Sequence, residues 1–239
     1  MRPLVLIRNN VKLLSGSQPE PQREHFMFIS RKDAATQLVT RLNSLESEKK
    51  FAVFTIPRGG VPIGAIVARA LYAPLDAVLI KKVEAPTNKE LVIGAVAPYF
   101  FFIEEKFKPL SPEQEAQIAD IQSLLRKREL IYHRHEIIED LSEMTAVIVD
   151  DGISSGHTMY TAIQTIKPRK PAKIIIATPV ISIQAAEWLK KEADEVISIL
   201  TPGDLTATST CYQNFEPVSD QEALNILQAY KIPRKEGML

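Results

Sequence analysis

Cysteine occurs once in the 239 residues, at Cys211. That excludes an intramolecular disulfide and a thiolate metal cluster, and a reducing, cytoplasmic setting is expected. An excess of either charge is also missing. The 29 basic residues balance the 29 acidic ones, which argues against a general nucleic-acid or membrane-surface binder. No apolar run approaches the ~20 residues a membrane helix needs. "PYFFFI", from Pro98 to Ile103, is apolar but strand-sized. The opening "MRPLVLIRNNVKLL" is too short and too interrupted by charge to read as a signal peptide. There is no Gly-x-Gly-x-x-Gly and no Walker-type lysine, which argues against a dinucleotide fold and a mononucleotide P-loop. His25, His133 and His135 lack Cys or His companions at metal spacing, so they are given no metal role.

What is present is a chain 45% apolar, enough for one sizeable α/β domain with a small appended lobe. Residues 1–29 read as an irregular arm. From Ser30 a helical pattern runs through Ala35, Leu38, Val39, Leu42 and Leu45, and Ser30 with Asp33 resembles a capping box. "FAVFTI" (Phe51 to Ile56) is a buried strand. "PRGGVP" breaks it, and Ile63, Ile66, Val67, Ala70 and Leu71 then recur at helical spacing. "PLDAVLIKKV" (Pro74 to Val83) reads as a second strand, so the unit implies a parallel pair with a right-handed crossover. "LVIGAVAPYFFFI" suggests two short strands or a hairpin. Ser111, Pro112 and Gln114 open a long helix with Ile118, Ile121, Leu125 and Tyr132 on its buried face. Three more strands follow, at Thr145 to Val149, in "AKIIIATPVIS", and at Asp194 to Leu200. Ser219 and Glu222 cap a last helix. Strand alternating with helix predicts a doubly wound, mostly parallel α/β sheet.

"AVIVDDGISSGHTM" (Ala146 to Met159) carries the chemistry. A buried strand ends in Asp150 and Asp151, and ligands of open parallel sheets sit beyond such carboxyl ends. Adjacent carboxylates repel unless a metal, a cation or hydroxyl donors offset the charge. In "GISSGHT", Gly152 and Gly156 permit unusual backbone angles. Successive N–H groups there can form a concave nest backed by a helix dipole, with Ser154, Ser155 and Thr158 adding hydroxyls. Such a loop suits a phosphate monoester, and the aspartates suit a diol one sugar ring away. A 5-phosphoribosyl group has both. Acidic pairs at strand ends also occur as helix caps and as metal sites in phosphatase and receiver domains.

"VIVDDGISSGHTM" resembles the phosphoribosyl-pyrophosphate signature of the type I phosphoribosyltransferases. "FTIPRGGVPIGAIVARAL" is similar to that family's first strand, pyrophosphate loop and first helix. "KKVEAPTNKELVIGAV" and "FEPVSDQEAL" resemble a subgroup of phosphoribosyltransferases known from sequence. The chain departs from the pattern at Ser155, usually threonine, at His157, usually small, and at Glu84 and Thr87, where the subgroup often has glycine.

The resemblance implies a core over residues 30–200. The N-terminal arm (1–29) and residues 201–239 would form a small hood. It assigns Asp150 and Asp151 to the ribose hydroxyls, and Gly152, Ser154, Ser155, Gly156, His157 and Thr158 to the phosphoribosyl group. Arg58, Gly59 and Gly60 would form the pyrophosphate loop, where relatives often hold a non-proline cis peptide. Lys81 and Lys82 would neutralise departing pyrophosphate, although alternation along a strand lets only one face the site. Residues 84–95 would be a flexible closing loop, with Asn88, Lys89 and Glu90 as contacts. Tyr212 and Phe215 either pack or stack the acceptor base. "RKRELIYHRHE" (Arg126 to Glu136) reads as a solvated face or a dimer surface, with Arg128 or Arg134 pairing with nearby glutamates.

The activity so implied is transfer of 5-phosphoribosyl from phosphoribosyl pyrophosphate to a nitrogenous base. Magnesium would bridge pyrophosphate and ribose oxygens, beside Asp150 and Asp151, and family habit makes the protein a homodimer. Arg58, Lys82 and the two aspartates would carry the catalysis. No membrane and no nucleic-acid partner is expected. The rival readings are a phosphoribosyl-pyrophosphate sensor without turnover, and a magnesium phosphatase using Asp150.

Overall fold

A computed structural model describes residues 27–42, 50–86, 88–132 and 140–232. Its centre is a five-stranded parallel sheet in the order β2-β1-β6-β7-β8. The strands are β1 (Phe51–Thr55), β2 (Leu75–Ala77), β6 (Thr145–Val149), β7 (Lys173–Val180) and β8 (Glu195–Leu200). In β1 and β6, Phe51 pairs with Thr145 and Thr55 with Val149, without a slip. Period-two alternation explains why both faces are apolar. Ala52, Phe54, Ala146, Ile148, Ile174 and Ile176 face one way, into a cluster with α4 (His157–Ile166) and α5 (Ile183–Leu189). Val53, Val147, Val149, Ile175 and Ala177 face α1 (Arg31–Leu42) and α2 (Gly60–Ala70). Helices on both faces make the fold doubly wound, as the alternation predicts. The chain turns one way from β1 to β2 and the other way from β6 to β8. The gap between β1 and β6 is therefore the topological switch point, where open α/β sheets hold ligands.

The long second strand expected over Pro74 to Val83 divides in two. β2 stays in the main sheet. Its continuation leaves as β3 (Lys81–Ala85) and pairs antiparallel with β4 (Asn88–Val96), which pairs with β5 (Phe101–Ile103). A separate core forms where Val83, Ala85, Ile93, Val96 and Ile103 meet α3 (Pro112–Tyr132) and α6 (Asp220–Ala229). The segment 84–95, expected as a flexible closing loop, is instead this ladder, with register shifts between Val83 and Ala85. Thr87 lies outside the described residues.

The capping signals are realised. Gln114 N–H donates to Ser111 Oγ and Ser111 N–H donates back to Gln114 Oε1, the reciprocal box. Ser219 Oγ accepts from Glu222 N–H. Arg128 pairs with Asp220 across helices at 2.6 Å rather than with a glutamate. Leu45, His25, Arg134 and the histidines at 133 and 135 lie outside the described residues. Among those described, no helix is long and apolar enough to cross a membrane.

Candidate functional site

The loops after β1 and β6 meet at the switch point and open into a cavity of about 750 Å3. After β1 the chain turns through Pro57, Arg58 and Gly59 into α2, and the Pro57–Arg58 peptide is cis. This loop lies so close to β6 that side chains do not fit. A Cβ on Gly59 would stand 2.0 Å from Asp151 Oδ2, and one on Gly60 2.9 Å from the Val149 carbonyl. Arg58 and Gly59 line the cavity, whereas Gly60 is buried beneath it at the start of α2. Gly60 therefore packs against Val149 and Thr55 and does not line the cavity.

Asp150 and Asp151 end β6 in the cavity wall. Asp150 Oδ1 accepts from the Asp151 N–H at 2.8 Å. Asp151 Oδ2 accepts from both Nε and Nη2 of Arg31 at 2.9 Å. Each carboxyl thus holds one oxygen on an N–H donor of the protein. Burial, then repulsion by Asp151, pushes the Asp150 carboxyl well above its usual range. Burial also raises Asp151, but the Arg31 guanidinium opposes it. Lys82 lowers both through space.

The following loop is held from three sides. Ile153 N–H donates to the Val180 carbonyl and Ser182 N–H to the Ile153 carbonyl, which fastens the loop to β7. Ser182 Oγ donates to the Ser154 carbonyl at 2.6 Å, and Ser154 Oγ donates to the Leu205 carbonyl at 3.1 Å. Gly156 then caps α4 in the left-handed region, φ 84°. A Cβ there would also stand 3.0 Å from the Trp188 ring, so glycine is required twice over. Gly152, Ser154, Ser155, Gly156 and Thr158 line the cavity.

His157 does not. Its ring is 5% exposed and turns to the other side of α4. There Nε2 meets Glu104 Oε1 at 2.9 Å and Nδ1 meets Ser155 Oγ at 3.2 Å. Burial lowers its pKa, and the pattern fits a neutral ring that donates from Nε2 and accepts at Nδ1. Phe102, Tyr160 and Trp188 surround it, Tyr160 and Trp188 stacked at 5.0 Å. The His157 ring therefore helps to dock the hairpin sheet on α4 and lies outside the cavity lining.

Of the two lysines that open β3, Lys82 lines the cavity and Lys81 does not, as the pleat requires. Asn88 and Lys89 are also absent from the lining, and β4 reaches it with Leu91 and Val92 instead. Tyr212 is 2% exposed. It packs on Phe28, and its hydroxyl donates to the Asp151 carbonyl at 2.6 Å. It cannot stack a ligand. Phe215 does reach the cavity, with Pro217 and Val218.

Three contributions are absent from the sequence reading. Arg31 lies far from Asp151 in the chain, but a basic residue in the first turn of a helix opposes the macrodipole, which is a sign of another partner. Thr206, Thr208 and Ser209 bring hydroxyls across from Gly152, and the hydroxyl-rich "TATST" is the signal that could have found them. Leu91 and Val92 fall in the segment that the resemblance presents as a closing loop and the residue pattern as a strand.

Fold and site together define a doubly wound α/β protein with paired carboxylates and a glycine-hydroxyl loop at its switch point. Residues 30–212 match the phosphoribosyl transferase domain family. A protein of Mycobacterium tuberculosis, seen in strains CDC 1551 and H37Rv and provisionally named a phosphoribosyl transferase, is 32% identical over 206 residues. That match covers 84% of this chain and 46% of the relative, so the chain spans about half the length of the curated relatives it matches. The crystal structure of TT1426 from Thermus thermophilus superposes with a TM-score of 0.70 at 32% identity, covering 85% of this chain and 98% of that one. The chain belongs to the phosphoribosyltransferase family.

Proposed function

We propose that the protein transfers a 5-phosphoribosyl group from phosphoribosyl pyrophosphate to a small nitrogenous base, releasing pyrophosphate. One observation carries the reading. The Asp150 and Asp151 carboxyls stand in the same cavity as a loop of backbone N–H groups and hydroxyls. A diol with a phosphate one sugar ring away matches that pair of features.

Asp150 and Asp151 take the ribose hydroxyls. The segment from Gly152 to Thr158, without the His157 ring, holds the 5-phosphate. Arg58, the Gly59 backbone and Lys82 face the pyrophosphate. Phe215, from the segment after β8, offers the acceptor a flat apolar wall beside Leu91 and Val218. Transfer demands that charge moving onto pyrophosphate be met by fixed cations while the sugar is held in line with the acceptor nitrogen. Arg58 and Lys82 meet the first need and the aspartates the second. No covalent protein nucleophile is required.

The family implies magnesium. Among the described residues no group of three or more carboxylate, His or Cys side chains could hold a metal. The Asp150 and Asp151 oxygens nevertheless fit the ion, since Mg2+ is commonly bound by one or two carboxylates with water and substrate oxygens. Held there, the ion would supply positive charge to the pyrophosphate oxygens.

Calorimetric titration of phosphoribosyl pyrophosphate, with and without magnesium, tests the reading on the native protein and on the Asp150→Asn/Asp151→Asn double variant. Magnesium-dependent binding lost in the variant supports it, and a panel of bases with pyrophosphate detection then identifies the acceptor. No binding by the native protein would sink it, and binding without pyrophosphate release for any base would make the protein a sensor instead.

A further inference from the structure

Arg31 makes more contacts at the site than its place in the sequence suggests. Its side chain is 12% exposed. Nε and Nη2 both reach Asp151 Oδ2, Nη1 donates to the Glu216 carbonyl at 2.7 Å, and the guanidinium lies 3.7 Å over the Phe215 ring. One planar group therefore touches a ribosyl carboxylate and the cavity-lining segment of the C-terminal region at once. That segment is itself zipped to the residues just before Arg31. Phe28 N–H donates to the Cys211 carbonyl, Gln213 N–H to the Phe28 carbonyl and Asn214 N–H to the Ile29 carbonyl. Tyr212 adds a second tie, from its hydroxyl to the Asp151 carbonyl. Residues 28–31 and 211–216 form one strap, and it is fastened to the core through Asp151.

We propose that Arg31 is a positioning residue: it orients Asp151 and fastens to it the strap that carries Phe215, so that the carboxylate receiving the ribosyl diol also builds the roof of the acceptor pocket. This rests on the ribosyl assignment of Asp151. The fork geometry explains why arginine is needed. Nε and Nη2 lie on one edge of the planar group and converge on Oδ2. Nη1, on the other edge, is free to bind the strap. A lysine ammonium would meet the charge but could not hold both partners and lie flat on Phe215.

The test compares native protein, Arg31→Gln, Arg31→Lys and Asp151→Asn by hydrogen exchange without ligand and by calorimetry with phosphoribosyl pyrophosphate. In Arg31→Gln, the Gln213 and Asn214 amides should exchange at least about tenfold faster, while β6 and β7 amides keep their native rates. Affinity should fall about tenfold. Arg31→Lys should restore part of the affinity but not the strap protection, which a purely structural role would not separate. Native exchange at Gln213 and Asn214 with affinity within about twofold of native overturns the proposal. If Arg31→Gln fails to fold, Asp151→Asn decides: faster strap exchange supports the coupling and native exchange overturns it. A native protein that binds no phosphoribosyl pyrophosphate defeats the ribosyl assignment, a result distinct from unchanged strap exchange.

Discussion

Asp150 is placed where its charge is costly. Burial and the neighbouring carboxyl push its pKa well above the ordinary 3.8. The unfolded chain releases this proton near the ordinary value, whereas the folded protein holds it to higher pH. Between those values the native state binds more protons, so stability falls as pH rises through the window and stays lower above it. An amide has no such penalty. Asp150→Asn should therefore raise the melting temperature at neutral pH by a few degrees, on the order of 1 kcal/mol, and the gain should vanish below about pH 3.8. The same variant should lose phosphoribosyl pyrophosphate binding. Thermal melts at pH 3.5 and 7.5 check the first part. An unchanged or lower melting temperature at pH 7.5 would show that the carboxyl is not under strain.

At the scale of elements, the hairpin sheet of β3, β4 and β5 reaches the site through Lys82, Leu91 and Val92. Alternation along β3 separates Lys82, in the cavity, from Lys81, outside it. Lys82→Ala should weaken phosphoribosyl pyrophosphate binding by about tenfold or more, and Lys81→Ala should leave it within about twofold. Titration calorimetry on both variants makes the comparison, and equal losses would mean that the pleat does not decide the matter. The same sheet docks on α4 through Phe102, Glu104 and His157. Burial places the folded-state pKa of His157 below its ordinary 6.5. The unfolded chain then takes up the proton first as pH falls, so this contact loses stability below about pH 6.5. His157→Gln should reduce the slope of stability against pH in that range. Urea titrations at pH 5.5 and 7.5 would reveal it, and a native slope in the variant would discount the docking role.

Across the whole molecule, the two sheets are joined through shared side chains rather than a linker. Leu75 packs against both the hairpin core and the α1–α2 face of the main sheet. α6 closes the hairpin core with Ala223 and Leu227, and Tyr230, just past its end, donates its hydroxyl to the Ala73 carbonyl at 2.7 Å. Leu227→Ala should cost about 2–3 kcal/mol through lost burial and the cavity left behind. The unfolding transition should stay single, because Val61 of α2 and Ala77 of β2 complete the core of the hairpin sheet. Fluorescence and circular dichroism melts that failed to coincide would contradict this.

Much of this architecture is legible in local chemistry. The Thr145 to Val149 run, the Ser111 and Ser219 caps and the Asp-Asp-Gly-Ile-Ser-Ser-Gly loop depend on neighbours within a few residues, so periodicity and residue type identify them. The point at which the chain leaves the main sheet does not. Pro74 to Val83 is one apolar, β-branched run, and only packing against α3 and α6 diverts Lys81 onward into a second sheet. The same limit applies to side-chain direction. His157 stands in the loop by sequence, yet Glu104 and Trp188, brought from β5 and α5, draw it to the other face of α4. Tyr212 is likewise claimed by Phe28 and the Asp151 carbonyl. Arg31 joins Asp151 across 120 positions, a distance that no local pattern spans. The sequence alone determined the doubly wound frame, the acidic pair and the loop beside it, because short-range sterics and hydrogen bonding specify them. Which lysine, arginine and aromatic side chains face the cavity was decided only by the tertiary structure, because long-range packing sets where each one can be buried or paired.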